Sequence, residues 1–248
     1  MRHTLVRLLG WRGLLLDDDP IMFDRWLWLR NHLVRGPART LDAGSGSGAF
    51  TLYASIAGNE AVGISFDERK NQTARDRSKI LKQRVTFRTE DLRRIDEVAE
   101  TLGSFDQIMC LETIEHIRQD AKLIRDLAAM LRPEGRLLLT TPFKGHPGLL
   151  GDHVSTSEDG GHVRWGYTHA DLRRLLEDAG LEITWQGYIG AITSQALTNI
   201  QRRLARWNQI IASAVVLPLR VVRALEPVVA RIHPGPMLSV AVIATKRR

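Results

Sequence analysis

A single cysteine, Cys110, in 248 residues excludes an internal disulfide framework and a cysteine-rich metal cluster, and suits a reducing cytoplasm. Long apolar runs are missing too: no segment approaches the ~20 consecutive apolar residues that a membrane span requires. The first residues carry arginines and a Leu14-Leu15-Leu16 patch, but Asp17-Asp18-Asp19 follows without a small-residue cleavage site. They do not read as a signal peptide. Acid is scarce in one region only. Between Trp185 and Arg248 nine Lys/Arg stand against one acid, Glu226, so the net charge of +7 is concentrated there and the remainder is close to neutral. Such a block suits nucleic acid or an anionic membrane, and the apolar residues between the charges bear on that choice.

What is present is ordinary globular material, 44% hydrophobic and 25% charged, enough for one sizeable α/β domain with additions. Its organising stretch is Thr40-Leu41-Asp42-Ala43-Gly44-Ser45-Gly46-Ser47-Gly48-Ala49-Phe50, which reads as strand, tight loop and helix. Glycines at 44, 46 and 48 keep Cβ atoms away, so a ligand can lie against the backbone and meet the unpaired N–H groups of a helix start. That is a nucleotide cradle. The same letters satisfy Gly-x-Gly-x-x-Ala, which leaves NAD and a nucleoside such as S-adenosylmethionine both open.

Residues 1–16 alternate Arg with Leu, Val and Trp and read as a solvated helix, with a lid or a surface-seeking segment as alternatives. Asp19-Pro20 then starts a helix in which Met22, Phe23, Trp26, Leu27, Leu29 and Leu33 recur at helical spacing and cap the core. After the glycine loop, strands are expected at 61–65, 85–88, 105–111, 136–141, 181–186 and 238–244. Helices are expected at 50–57, 68–83, 118–131 and 168–179, with Arg132-Pro133-Glu134-Gly135 as a turn. This alternation predicts a parallel, doubly wound sheet, in which ligands bind beyond the carboxyl ends of the strands. The expected units are an N-terminal helical cap (1–36), a core (37–189), a basic helical insertion (190–236) and a last core strand with a basic tail (237–248).

Five segments occur in order: Leu41 to Gly48, Glu90-Asp91-Leu92, Phe105-Asp106-Gln107-Ile108, Glu112-Thr113-Ile114-Glu115-His116 and Leu131-Arg132-Pro133-Glu134-Gly135. Together they resemble the class I S-adenosylmethionine-dependent methyltransferases, over about 40–185 and again at 237–246. The resemblance implies a Rossmann-like sheet of seven strands with the last antiparallel. It also implies that the glycine loop (Asp42, Gly44, Gly46, Gly48) carries the methionine portion of S-adenosylmethionine. Ser65 at the end of strand two would hold the ribose, Asp91 the adenine amino group, and Phe66, Leu92 and Leu111 would be further cofactor contacts. One position departs from the usual pattern. Ser65 stands where most members carry a ribose-binding acid, and Val62-Gly63-Ile64-Ser65-Phe66-Asp67 looks more like the cyclopropane-synthase and sterol-methyltransferase version. The reading in which Ser65 merely ends a strand stays open.

Glu112-x-x-Glu115-His116 at the mouth of strand four can bring two carboxylates and an imidazole toward one point, and His162 precedes a later helix. Oxygen and nitrogen donors suit Mg²⁺ or another divalent metal. The set resembles ubiquinone-pathway O-methyltransferases and small-RNA 3′-end 2′-O-methyltransferases, which implies Glu112, Glu115, His116 and His162 as metal ligands. Without a metal, His116 is the candidate general base, with Glu115 beside it. His146, His153 and His169 read as surface loop residues and Cys110 as strand packing.

In the insertion, Ile200, Leu204, Trp207, Ile210, Ile211 and Val215 recur at helical spacing, with Arg202, Arg203 and Arg206 between them; Pro218 and Pro227 interrupt the pattern. It reads either as a lid or dimer contact, or as a segment lying in an anionic membrane interface; the second is preferred. The expected function is methyl transfer from S-adenosylmethionine to a hydroxyl of a small or lipid-linked acceptor, in the cytoplasm and peripherally on the inner face of the membrane. The alternatives are an NAD-dependent oxidoreductase, weakened by Ser65, and a nucleic-acid binder that methylates RNA, weakened by the lack of a recognisable RNA-binding module.

Overall fold

Strands covered by helices on two sides must be apolar on both faces. In β4 (Phe105–Leu111) Phe105, Ile108 and Cys110 enter one core cluster and Met109 and Leu111 the other. The computed structural model describes residues 3–17, 20–146, 154–190, 192–225, 229 and 237–247. Asp19, His153, Pro227 and most of 226–236 therefore lie outside the described residues. β1 (Arg39–Ala43), β2 (Glu60–Ser65), β3 (Thr86–Thr89), β4, β5 (Leu131–Pro142), β6 (Leu181–Ile189) and β7 (Ser239–Lys246) form one sheet in the order β3-β2-β1-β4-β5-β7-β6. β7 runs antiparallel to β5 and β6, and the remaining pairings are parallel. The order reverses between β1 and β4, so their carboxyl ends open a crevice there.

Three helices precede the sheet: α1 (Thr4–Leu9), α2 (Arg12–Asp17) and α3 (Pro20–His32). Between strands lie α4 (Ala49–Ile56), α5 (Glu68–Leu81), α6 (Ala99–Leu102), α7 (Asp120–Met130) and α8 (His169–Asp178). α9 (Ile192–Ala205) and α10 (Gln209–Leu219) stand between β6 and β7. Local chemistry marks two of these starts. Asp67 accepts from the backbone N–H groups of Arg69 and Lys70 to cap α5, and Thr168 with Asp171 forms a full capping box on α8. Among the described residues no helix is long and apolar enough to cross a membrane.

The fold departs from the sequence expectation in two places. Residues 3–17 are not a solvated helix: Val6, Trp11, Leu14 and Leu15 are buried in the same cluster as Leu52 and Tyr53, and Trp11 Nε1 donates to the Ala49 carbonyl at 2.7 Å. Gly10, at φ +61, breaks the segment so that both short helices can turn apolar residues inward. The expected turn at 132–135 is instead held within β5, because Leu131 pairs with Phe105 and the next pairing joins Arg136 to Gln107. Four residues loop out between two rungs.

Asp42, on β1, is 3% exposed and accepts a 2.6 Å hydrogen bond from Thr51 Oγ1. Burial pushes its carboxyl up to about 6, against the opposing pull of the Thr51 hydrogen bonds. A native carboxyl raised above its unfolded value binds its proton more tightly in the fold, so its contribution is fully present below about pH 4 and is lost as the pH rises through about 6. Asp42→Asn keeps an acceptor for Thr51 and removes the ionisation. Its stability relative to the parent should therefore rise by roughly 2–3 kcal/mol between about pH 4 and pH 8, read from urea midpoints. A difference that does not change with pH would show that Asp42 titrates normally in the fold.

Candidate active site

At the crevice beyond β1, β2 and β4 the chain leaves a cleft of about 180 Å³. Of the residues expected to meet a nucleoside, Gly44, Gly46, Ser65, Phe66, Asp91 and Leu92 line it, and Glu112 and His116 close one end. Gly44 has φ +95, and a Cβ there would collide with the Thr113 side chain; Gly46 has φ +51, and a Cβ there would project into open space. The glycines thus leave bare backbone facing the cleft. Ser65 accepts at Oγ from the Asp67 N–H at 3.3 Å, so its hydroxyl proton is directed elsewhere. Ser45 Oγ is buried and has no hydrogen-bond partner among the described residues.

Three expected contacts stand behind this wall. Asp42 is turned toward Thr51, Gly48 packs against Ala74 and Phe87, and Leu111 lies in the core. Asp91 faces the cleft with both carboxylate oxygens engaged by Arg93, which lowers its pKa through those hydrogen bonds. An oxygen bonded once can still accept again.

The second cluster adjoins the first. Glu115 is fully buried; Oε2 accepts from Thr141 Oγ1 at 3.1 Å, while Oε1 has no hydrogen-bond partner and lies 3.9 Å from His116 Nε2. Burial, and then the neighbouring Glu112 carboxylate, push Glu115 well above the usual carboxylate range. His116 Nδ1 is 3.0 Å from the Gly161 carbonyl, so Nδ1 carries the proton and Nε2 is free to accept. His162 stands edge-on to it with ring centroids 4.6 Å apart, held below its ordinary pKa by burial and by His116. Donor atoms of Glu115, His116 and His162 lie within 4.8 Å of one another. Glu112, the fourth expected ligand, is outside that group. Its Oε2 pairs with Arg25 Nη2 at 3.1 Å and accepts from Ser239 Oγ at 3.3 Å, leaving Oε1 without a partner.

A family model for a methyltransferase domain matches residues 20–186. The chain belongs to this family. Its residues 20–186 form a methyltransferase domain, which favours S-adenosylmethionine among the two cofactors that the glycine loop alone admits. It is 28% identical over 126 residues to the ubiquinone biosynthesis O-methyltransferase of Dechloromonas aromatica (strain RCB), covering 50% of this chain and 52% of that one. With the protein of the same name from Xanthomonas axonopodis pv. citri (strain 306) it shares 33% over 104 residues, 42% of this chain and 43% of the other. The chain spans about half the length of the curated relatives it matches. Among solved structures, the [4+2]-cyclase SpnF superposes with a TM-score of 0.62 at 22% identity, covering 90% of this chain and 80% of that one. The magnesium protoporphyrin IX methyltransferase ChlM from Synechocystis PCC 6803 with bound SAM does so at 0.52 and 18%, covering 92% and 77%. At these identities the likeness establishes the fold.

Several residues of the cleft were not among those expected to meet the nucleoside. Lys70, Arg93, Thr113, Ile117, Glu158 and Gly160 also line it. Glu158 accepts from the Arg118 N–H at 2.7 Å and lies 3.7 Å from Arg93 Nη1, pinning the segment 154–166 across the opening. Arg93, next to the Glu90-Asp91-Leu92 motif, and Thr113 and Ile117, within and beside Glu112-Thr113-Ile114-Glu115-His116, carried a local signal; Lys70, Glu158 and Gly160 carried none. His146 and His169 prove half-buried rather than loose: His146 Nε2 is 2.8 Å from Gln195 Oε1 and His169 Nε2 is 2.9 Å from the Gly187 carbonyl. Cys110 is buried in β4, and burial pushes its thiol pKa up.

Gly46→Ala should leave the methyltransferase folded, since nothing surrounds the new methyl, at a backbone cost of about 1–2 kcal/mol. The methyl would occupy the cleft, so affinity for S-adenosylhomocysteine should fall at least about tenfold by calorimetric titration, which is about 1.4 kcal/mol. Unchanged affinity would mean that the nucleoside does not approach the loop at residue 46.

Proposed function

We propose that the protein transfers a methyl group to a hydroxyl oxygen of a small or lipid-linked acceptor, at the cluster of Glu115, His116 and His162, with a divalent metal held there. The observation that carries this reading is the convergence of three donor atoms within 4.8 Å beside the nucleoside cleft, one of them the unpartnered buried oxygen of Glu115. The printed names of the curated relatives, ubiquinone biosynthesis O-methyltransferases, support oxygen as the acceptor atom.

The donor set fits such an ion. One carboxylate and two imidazoles are ordinary ligands for several divalent metals, and the hydrogen bond from His116 Nδ1 to the Gly161 carbonyl is the outer support that fixes a ligating ring. Glu112 Oε1 is a further oxygen at the edge of the set. A divalent ion supplies positive charge beside the buried carboxylate and lowers the pKa of an acceptor hydroxyl. S-adenosylmethionine supplies the methyl as a carbon bound to sulfonium. The chain's own residues do the rest: the glycine loop seats the nucleoside, segment 154–166 covers the reacting atoms, and with Nε2 of His116 on the ion the hydroxyl proton passes to the unpartnered Glu112 Oε1, whereas without an ion His116 Nε2 takes it. The C–S bond breaks as the C–O bond forms, and the departing thioether keeps the electron pair.

Screening labelled S-adenosylmethionine against quinone precursors, lipid extracts and glycan intermediates should place label on an oxygen. Chelation, or Glu115→Ala, should lower turnover by at least about a hundredfold while cofactor affinity changes less than about threefold. Full turnover by metal-free protein in excess chelator would remove the metal. Label found only on nitrogen or carbon would remove oxygen as the acceptor atom.

A further inference from the structure

α10 has no charged residue, and among its described side chains only Ala212 and Val216, four residues apart, are buried. The other faces carry large apolar side chains into solvent. Ile211 is 54% exposed, Val215, Leu217 and Leu219 are also exposed, and Trp207 before the helix and Val221 after it reach 91% and 74%. A contiguous apolar surface of this density marks an interaction site rather than ordinary surface scatter. Its border is basic. Arg202, Arg203 and Arg206 at the end of α9 are exposed, and Glu226 is the sole acid between Trp185 and Arg248. The segment also lies beyond residues 20–186, so it is an addition to the family domain.

We infer that α10, the 3-10 turn Arg220–Leu225 and the carboxyl end of α9 form a docking surface for an anionic lipid bilayer. Apolar side chains enter the boundary between headgroups and acyl chains, Trp207 sits at headgroup level, and the arginines reach lipid phosphates while their stems stay against apolar material. Each basic residue near an anionic leaflet shifts the partition about fivefold, so three suffice for reversible recruitment. A symmetric pairing with a second copy of this chain would bring the same acid-poor, arginine-edged patch against itself. Nucleic acid would use the arginines and leave the aliphatic face wet.

The surface is coupled to the active site. α9 packs against α3, the helix whose Arg25 pairs with Glu112 at 3.1 Å at the edge of the donor set. A lipid-linked acceptor is therefore met beside the helix that touches the bilayer. This rests on the acceptor class proposed above, and the test separates the two.

Full-length protein, first shown by titration to bind S-adenosylhomocysteine, is floated with phosphatidylcholine vesicles and with equal mixtures of phosphatidylcholine and phosphatidylglycerol, without acceptor. Binding to the anionic vesicles should be at least about tenfold tighter and should weaken in high salt. The pair Arg203→Glu and Arg206→Glu should reduce it at least about tenfold, and Trp207→Ser with Ile211→Ser should do the same, with nucleoside affinity unchanged in both. Three outcomes would each overturn the inference. One is a parent that stays unbound while holding nucleoside. Another is equal binding by all variants. The third is a dimer by light scattering that Trp207→Ser with Ile211→Ser dissociates. An RNA oligonucleotide that binds through the arginines when vesicles do not would assign the surface to nucleic acid instead. Vesicle binding as described, together with methyl transfer only to water-soluble acceptors, would retain the surface and remove the lipid-linked acceptor.

Discussion

The parallel pairing of β4 between β1 and β5 is the constraint on which the site depends. It fixes where the chain leaves the sheet, and Glu112 makes that exit in a left-handed conformation at φ +49, with its N–H on the Thr140 carbonyl at 2.8 Å. A side chain in that region costs of order 1–3 kcal/mol and persists only where its surroundings hold it. Here Arg25 and Ser239 hold the carboxylate. The exit in turn sets the 3-10 turn Ile114–His116, which sends Glu115 inward and His116 toward the cleft. The placement of both catalytic candidates follows from one backbone reversal.

Burying Glu115 with a bare oxygen next to a second carboxylate is expensive, since an isolated buried charge loses its solvation. The protein meets that cost from several sides. Thr141 donates to one oxygen, and Arg25, from the helical cap, sits across Glu112. The cap is thus an electrostatic part of the site as well as a cover for the core. Packing reinforces this: Trp11 lies tilted against Tyr53 with ring centroids 4.8 Å apart and bonds the first residue of α4, the helix that opens at the glycine loop. A change in the cap would reach the nucleoside cleft through two contacts rather than through distance.

Segment 154–166 ties the nucleoside cleft to the transfer cluster. It contributes Glu158 and Gly160 to one and His162 to the other, and it is fastened between them. Val163 donates to the Glu115 carbonyl at 3.0 Å, and Arg164 pairs with Asp120 and donates to the carbonyls of Ile117 and Arg118. One strap therefore lines the cleft and carries the third member of the cluster of Glu115, His116 and His162.

The amino-acid sequence by itself determined the strands, their alternation with helices and the position of the glycine loop, because these depend on local periodicity and on residues without a Cβ. It also set Trp207, Ile211 and the arginines before them close together along one short stretch. Only the tertiary structure decided that residues 3–17 are core, because their apolar positions acquire meaning once Tyr53 and Leu52 lie opposite. The same holds for the site. Asp42, Gly48 and Leu111 carry motif letters yet stand behind the cleft, while Lys70, Arg93 and Glu158 line it. Arg25 lies 87 residues from Glu112, and His162 lies 46 from His116. Ion pairs and donor sets across such separations follow no local period; the folding of the sheet brings them together, and the burial that results sets their charge.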